Sequence, residues 1–105
     1  ILRPLGLVPA SAVELTIAAG AVWATQLLHT IDTEADAATD ELTAVFGGSD
    51  GQLLYLWLAD ASRVVTIKHG AANIRTPTGA DHVLSRSGMT LLLYDGAQSV
   101  WIVQQ

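Results

Sequence analysis

A glycine-rich turn that leads directly into a strand without a polar face is the feature that most limits how this chain can fold. The turn is residues 47–52, Gly-Gly-Ser-Asp-Gly-Gln, and the strand is residues 53–58, Leu-Leu-Tyr-Leu-Trp-Leu. Glycine allows positive φ, and Ser and Asp side chains bond nearby backbone groups, so the chain can reverse here. In an antiparallel sheet with one wet face, apolar and polar residues alternate. Six successive large apolar residues therefore indicate a strand covered on both faces.

The composition predicts that other molecules supply part of this cover. Half of the 105 residues are hydrophobic and 14% are charged, whereas an average globular domain has about 25% charged residues. A single domain of this size buries only about two-thirds of the surface that its unfolded chain exposes. We therefore expect a homo-oligomer or a subunit of a larger assembly.

The charge distribution disfavours several classes of partner. The net charge is −5, and most of it comes from acidic residues between positions 32 and 50, while the five basic residues are scattered. Nucleic acids and anionic membranes both need clustered positive charge, so we expect neither as a partner. The longest uncharged apolar stretch, residues 15–31, is too short and too polar to be a membrane span, so membrane insertion is not expected.

Turn-forming residues recur about every ten positions and predict a single β domain over residues 13–105. Two prolines and a glycine suggest that residues 1–12 form an extended N-terminal arm. We predict an all-β fold, a compact antiparallel β-sandwich or a β-prism-like module. After the glycine-rich turn, the predicted strands are Gln52–Leu58, Arg63–His69, Ala72–Arg75, His82–Leu84, Met89–Tyr94 and Ser99–Val103.

Two segments before the glycine-rich turn are harder to interpret. Val13–Ile17 and Ala21–Ile31 flank an Ala-Ala-Gly turn, and we expect them to pair as a hairpin. Residues 39–46 fit either a short capped helix or an alternating strand, and eight residues do not decide between them.

The polar residues predict no catalytic, cofactor or metal site. His29, His69 and His82 lack the spacing of a metal site, and the acidic run lacks calcium-loop spacing. The glycine-rich turn lacks the lysine of a phosphate loop, and no serine lies in a nucleophile elbow. We therefore expect that the chain is not an enzyme.

The aromatic residues allow two interpretations. Five of them could form a platform on which sugars stack, but their places in apolar strands favour the core or a subunit interface. We expect Tyr94 and Trp101 to face each other across the last hairpin. The five residues are Trp23, Tyr55, Trp57, Tyr94 and Trp101.

From about Leu15 onward, the order of segments resembles a β-structured module of phage virion proteins, chiefly tail-fibre, tail-spike, head-fibre and decoration proteins. The segments that carry the resemblance are Leu15–Val22, His29–Glu34, Asp40–Leu42 followed by Gly47–Gln52, Val64–Gly70, Asn73–Arg75, and Leu91–Gly96 followed by Val100–Trp101. The resemblance implies a non-enzymatic structural protein of the virion, assembled in the cytoplasm of the bacterial host. It also implies a homotrimer whose apolar strands surround a common axis.

Within that resemblance, we expect a tail-fibre or spike module that mediates attachment within the particle or to the host. A capsid decoration protein and a host-glycan-binding module are the alternatives, and the expected partners are sister copies, other phage structural proteins and a host surface glycan. The bulky Trp57 and Leu58 depart from the pattern of such modules and suggest an additional contact surface. The residues predicted at the oligomer interface are Leu54, Leu56, Trp57, Leu58, Leu91, Leu93 and Trp101.

Overall fold

The computed structural model describes residues 11–84 and 88–104 and shows an all-β protein. The predicted arm over residues 1–12 lies almost entirely outside the described residues. The strands are β1 Val13–Thr16, β2 Ala21–Trp23, β3 Leu28–Asp32, β4 Thr39–Leu42, β5 Ala44–Phe46, β6 Leu53–Leu58, β7 Val64–Ile67, β8 Ile74–Arg75, β9 His82–Leu84, β10 Met89–Asp95 and β11 Val100–Gln104. A 3-10 turn covers Glu34–Asp36 between β3 and β4.

The described strands form three sheets. The main sheet has the order β1-β3-β6-β10-β11-β8, the two-stranded sheet pairs β2 with β5, and the three-stranded sheet has the order β4-β7-β9. Within the described residues, five of the eight strand pairings are parallel. The expectation of an antiparallel domain is therefore wrong for these pairings, although the all-β class is confirmed.

The parallel pairing arises because successive strands move from one sheet to another before the chain returns to the first. Val13 of β1 pairs with His29 of β3, and His29 pairs with Leu56 of β6, with the chain visiting the smaller sheets in between. Each return adds a strand beside the earlier one in the same direction, as in a solenoid. One buried cluster contains residues of all three sheets, including Leu56, Val45 and Ile67, so their inner faces enclose a common core.

The predicted hairpin between residues 13–17 and 21–31 does not form. The segment after the Ala-Ala-Gly turn is split into β2 and β3, and β1 pairs parallel with β3 while β2 pairs parallel with β5. An isolated antiparallel bridge joins Ala18 to Ala21 at the turn itself. The break between β2 and β3 is stabilised by His29, whose Nε2 accepts hydrogen bonds from the backbone N–H of Thr25 at 3.0 Å and of Gln26 at 3.2 Å.

Residues 39–46 adopt the strand alternative. Thr39–Leu42 pairs with β7 and Ala44–Phe46 pairs with β2, so the backbone groups of both segments are bonded in ladders. The later predicted strands all appear, and each of their ends lies within two residues of the predicted position. In the part of the chain that the structure describes, no helix is long and apolar enough to cross a membrane.

Candidate assembly surface

Strand β6 presents one apolar set to the core and a second apolar set to the outside. Leu54 and Leu56 are fully buried, whereas Leu53, Tyr55 and Trp57, which alternate with them, are exposed or half-buried. Successive side chains of a strand point to opposite faces of its sheet. Strand β6 is therefore covered on its inner face by the chain itself, and its outer face remains apolar and partly open to solvent.

The neighbouring strands extend this outer set across the main sheet. In the ladder between β6 and β10, Leu91 is opposite Tyr55, Leu93 is opposite Leu53, and Met89 is opposite Trp57. Pairs directly opposite each other in a sheet share a face and contact one another. Together with side chains of β3 and β11 they form what we call the outer apolar face, which consists of Leu28, Leu53, Tyr55, Trp57, Met89, Leu91, Leu93 and Ile102.

Polar and charged residues border this face on both sides. On one side the same face carries Asp32 at the end of β3 and Glu14 on β1, and on the other side it carries Arg75 on β8, which is the register partner of Ile102. An apolar centre with a polar rim is the usual anatomy of a protein interface. One edge of the face is acidic and the opposite edge is basic.

The acidic edge is fixed in place by an ion-pair cluster. The Arg63 guanidinium contacts the Asp32 carboxylate at 2.7 Å, Asp36 at 3.1 Å and Asp60 at 3.4 Å. The hydrogen bond from Arg63 lowers the pKa of Asp32 below its ordinary value despite the opposing effect of burial, and Asp32 in turn raises the pKa of Arg63. Asp32 is therefore a carboxylate, held in a defined orientation at the rim.

The structure divides the predicted interface residues between the two faces of the sheet. Leu54, Leu56 and Trp101 are fully buried within the chain, and half-buried Leu58 packs against the core cluster. Trp57, Leu91 and Leu93 lie on the outer apolar face. A strand that is apolar at every position does not reveal which residues point inward, so sequence reasoning placed both sets at the interface.

Several residues of the outer apolar face were missed by the sequence reasoning. Leu53, Met89 and Ile102 alternate with buried residues on their strands and lie beside the residues that were predicted, whereas Tyr55 was already among the aromatic residues assigned to the core or an interface. The signal that finds them is the period of two along each strand combined with the cross-strand register. The period of two holds for any strand, but which set points inward and the register both depend on which strands become neighbours.

Trp101 has a structural role inside the chain. Its indole Nε1 donates to the Val45 carbonyl oxygen at 3.1 Å, and its ring packs edge-on against Tyr94 with centroids 5.1 Å apart. Tyr94 and Trp101 are register partners of the β10–β11 hairpin, so the predicted cross-strand pair is confirmed.

The edge of the two-stranded sheet is completed by a side chain instead of a strand. The Asn73 amide oxygen accepts from the Val45 N–H at 3.0 Å, and the Asn73 amide nitrogen donates to the Val45 carbonyl oxygen at 2.7 Å. Val45 is 1% exposed, so its backbone groups need partners within the protein. The Asn73 side chain supplies both hydrogen bonds that a further strand would make.

The histidines serve as structural hydrogen-bonding groups. Buried His29 has its Nδ1 2.8 Å from the Val13 carbonyl oxygen, so Nδ1 carries the proton while Nε2 accepts from two backbone N–H groups. His69 Nδ1 accepts from the backbone N–H of Thr76 at 3.0 Å, and His82 Nε2 lies 2.9 Å from the Thr90 hydroxyl. Over residues 11–84 and 88–104, no three His, Asp or Glu side chains form a group that could hold a metal ion.

A second surface lies on the two-stranded sheet. Trp23 ends β2 and Phe46 ends β5; they are register partners, and their ring centroids are 5.2 Å apart at an interplanar angle of 44°. Trp23 is 65% exposed and Phe46 is 43% exposed. Within this chain Trp23 is therefore not a core residue, which leaves open the interface and sugar-platform interpretations of the sequence.

A polar groove lies at the other end of the same two strands. It has a volume of about 500 Å³ and is lined by residues that precede β2 and β5, by residues of β4 and by one residue of β7. The lining residues are Ala19, Gly20, Thr39, Asp40, Glu41, Thr43 and Thr66. The groove is acidic, since it carries the carboxylates of Asp40 and Glu41.

These features define an all-β structural module with an apolar face on its main sheet. Residues 28–102, from the start of β3 into β11, match the family described as the phage depolymerase C-terminal beta sandwich domain. The chain belongs to this family, which makes it a phage tail-associated β module. No curated protein and no solved structure matches the chain.

Proposed function

We propose that this chain is a non-enzymatic module of a phage tail fibre or tail spike, which assembles as a homotrimer through its outer apolar face and mediates attachment. The observation that carries the proposal is the outer apolar face itself. Its central strands, β6 and β10, place Leu53, Tyr55, Trp57, Leu91 and Leu93 on one side of the sheet with no charged residue among them. Large exposed apolar patches on a folded protein mark interaction sites.

The charge pattern at the rim supports a sister copy as the occupant of this face. Glu14 and Asp32 lie on one edge, and Arg75 lies on the opposite edge. A second copy that approaches in the appropriate orientation places its basic edge beside the acidic edge of the first. Complementary charges of this kind fix the orientation of partners more than they add affinity.

The family match supports the tail as the location and attachment as the role. The matched family is named for a domain of depolymerases, and a C-terminal domain of such a protein can act in assembly while the catalytic residues lie elsewhere. The ordered histidines and paired carboxylates of this chain have structural partners, which supports a module without chemistry of its own.

The proposal is tested by the mass of the chain in solution, measured by light scattering and native mass spectrometry over a range of concentrations. We expect a trimer, with three times the 11.0 kDa mass of one chain. In Leu91→Glu, an unpaired carboxylate lies at the centre of the face, and we expect the dissociation constant to rise by more than about 100-fold, because burying a charge without a partner is costly.

Val83→Glu is the matched control. Val83 is 54% exposed on β9 of the three-stranded sheet, away from the main sheet, so the same charge there is expected to leave the mass unchanged. A single-chain mass for the unmodified protein contradicts the proposal. So does a Leu91→Glu variant that assembles like the unmodified protein.

A further inference from the structure

We propose that Trp23 and Phe46 form a stacking platform for a neutral saccharide. The proposal does not depend on the assembly of the chain through its outer apolar face. It rests on the exposure of the two rings, on the small size of the patch that they form, and on the charge of the groove at the other end of the same strands.

The two rings are the exposed large side chains at one end of the two-stranded sheet, whereas Ala44 at the other end is only 7% exposed. On the outer side of the two-stranded sheet, the positions that alternate with buried Val22 and Val45 are Ala21 and Ala44 at one end and the two aromatic residues at the other. A tilt of 44° between rings 5.2 Å apart gives a shallow angular surface. The C–H faces of a pyranose ring pack well on such aromatic faces, which are apolar and polarisable.

The size of the patch favours a small ligand over a protein partner. A fully buried aromatic side chain contributes about 150–250 Å², so the exposed fractions of 65% and 43% correspond to roughly 250 Å² in total. A stable protein interface buries about 800 Å² on each partner. The aromatic pair alone falls well short of that area but is large enough to cover a saccharide ring.

The polar groove gives the ligand its charge class. Gly20 and Thr43 line the groove and directly precede β2 and β5, so at about 3.3 Å per residue the groove begins roughly 10 Å from the rings. Threonine hydroxyl groups in the groove suit the hydroxyls of a sugar. Lys68 contacts Glu41 at 3.6 Å and Asp81 at 2.8 Å, so the groove and its border, with Asp40 included, keep an excess of carboxylates, which together with the net charge of −5 repels anionic sugars. The expected ligand is therefore a neutral oligosaccharide.

The family match covers one of the two rings. The family match begins at residue 28, so Trp23 precedes the matched residues, whereas Phe46 lies among them.

The experiment follows the indole N–H signals of the chain by NMR during saccharide titrations. The probes are neutral oligomers of glucose, galactose, mannose and N-acetylglucosamine, and the anionic comparison is a set of hyaluronan oligomers. We expect the Trp23 signal to shift with at least one neutral probe. Because the groove is acidic, we expect the dissociation constants of the anionic probes to be at least about fivefold higher. Trp23→Ala is expected to weaken binding about tenfold, and Trp23→Phe is expected to retain most of it.

Val83→Ala is the control, because Val83 is 54% exposed on β9, outside both the aromatic pair and the outer apolar face, and its truncation is expected to leave saccharide binding unchanged. The solution mass of Trp23→Ala is expected to equal that of the unmodified chain, so that failure of this proposal and failure of the proposed assembly give different results. The proposal is overturned if no neutral probe shifts the Trp23 signal, or if the anionic probes bind as well. A Trp23 signal that changes with protein concentration in the absence of sugar assigns the pair to a contact between copies and also overturns it.

Discussion

Replacing Asn73 with alanine tests whether a single side chain completes the edge of the two-stranded sheet. In Asn73→Ala, the buried N–H of Val45 loses its acceptor at 3.0 Å, while the Val45 carbonyl oxygen keeps the indole donor of Trp101 at 3.1 Å. A buried donor without a partner costs about 1–3 kcal/mol. We therefore expect a loss of about 2 kcal/mol in the free energy of unfolding.

Urea denaturation at a fixed chain concentration measures this loss. With a slope of about 1–3 kcal/mol per molar urea, the midpoint is expected to fall by roughly 1 M. Asn73→Asp is the near-isosteric comparison, because it keeps an acceptor for the Val45 N–H. It replaces the amide nitrogen, which donates to the Val45 carbonyl oxygen at 2.7 Å, with a carboxylate oxygen that repels that carbonyl. It is expected to be at least as destabilising as alanine at neutral pH and less so in acid, where a protonated carboxyl group can donate.

A double-mutant cycle with Trp101→Phe separates this interpretation from a simple loss of packing. After either single change the Val45 carbonyl oxygen still accepts one hydrogen bond, but after the double change it accepts none from these two side chains. The double variant is therefore expected to lose about 1 kcal/mol or more beyond the sum of the single losses. Strictly additive losses, or a cost below about 0.5 kcal/mol for Asn73→Ala, would refute the reasoning.

Three further perturbations test other parts of the fold. His29→Ala removes the partners of two backbone N–H groups and one carbonyl group. We expect the free energy of unfolding, measured by urea denaturation, to fall by roughly 2–4 kcal/mol. An unchanged midpoint would contradict the role of the buried imidazole as a link between β1 and β3. Gly47 and Gly51 both have positive φ, +89° and +81°, but a Cβ at Gly47 would lie 2.6 Å from a backbone oxygen, whereas a Cβ at Gly51 would meet open space. Gly51→Ala is therefore expected to lower the free energy of unfolding by about 1–2 kcal/mol through its backbone conformation alone. Gly47→Ala is expected to lower it clearly more, because the steric clash adds to the same conformational cost. Because Arg63 lowers the pKa of Asp32 in the folded chain, this pair stabilises the fold above the ordinary carboxyl pKa and loses its contribution as the pH falls through that value toward the lowered one. When the pH falls from neutral to below the ordinary carboxyl pKa, thermal stability should therefore decrease less in Arg63→Gln than in the unmodified protein. Equal acid dependence of the two proteins would contradict the assignment.

Much of the local structure follows from the sequence alone. The strand at residues 53–58, the β-branched strand of β7 and the pairing of Tyr94 with Trp101 depend on neighbouring residues and on one tight loop, so periodicity and turn residues predict them. The absence of a polar face on β6 also correctly indicates two apolar surfaces. Which of the two belongs to the core does not follow, because Leu54 and Leu56 differ from Leu53 only in their place in the alternation.

The tertiary structure decides every feature that depends on residues far apart in the chain. Val13 pairs with His29 and Val22 pairs with Val45 in parallel, although the short turn between β1 and β2 locally favours an antiparallel hairpin. Pairing between distant strands is determined by which apolar faces can be buried together, and this is a property of the whole core. The sequence determines how many apolar and aromatic residues the chain has. Which of them enter the core depends on this long-range pairing, so only the folded chain shows that Trp101 lies inside the core and Trp23 outside it.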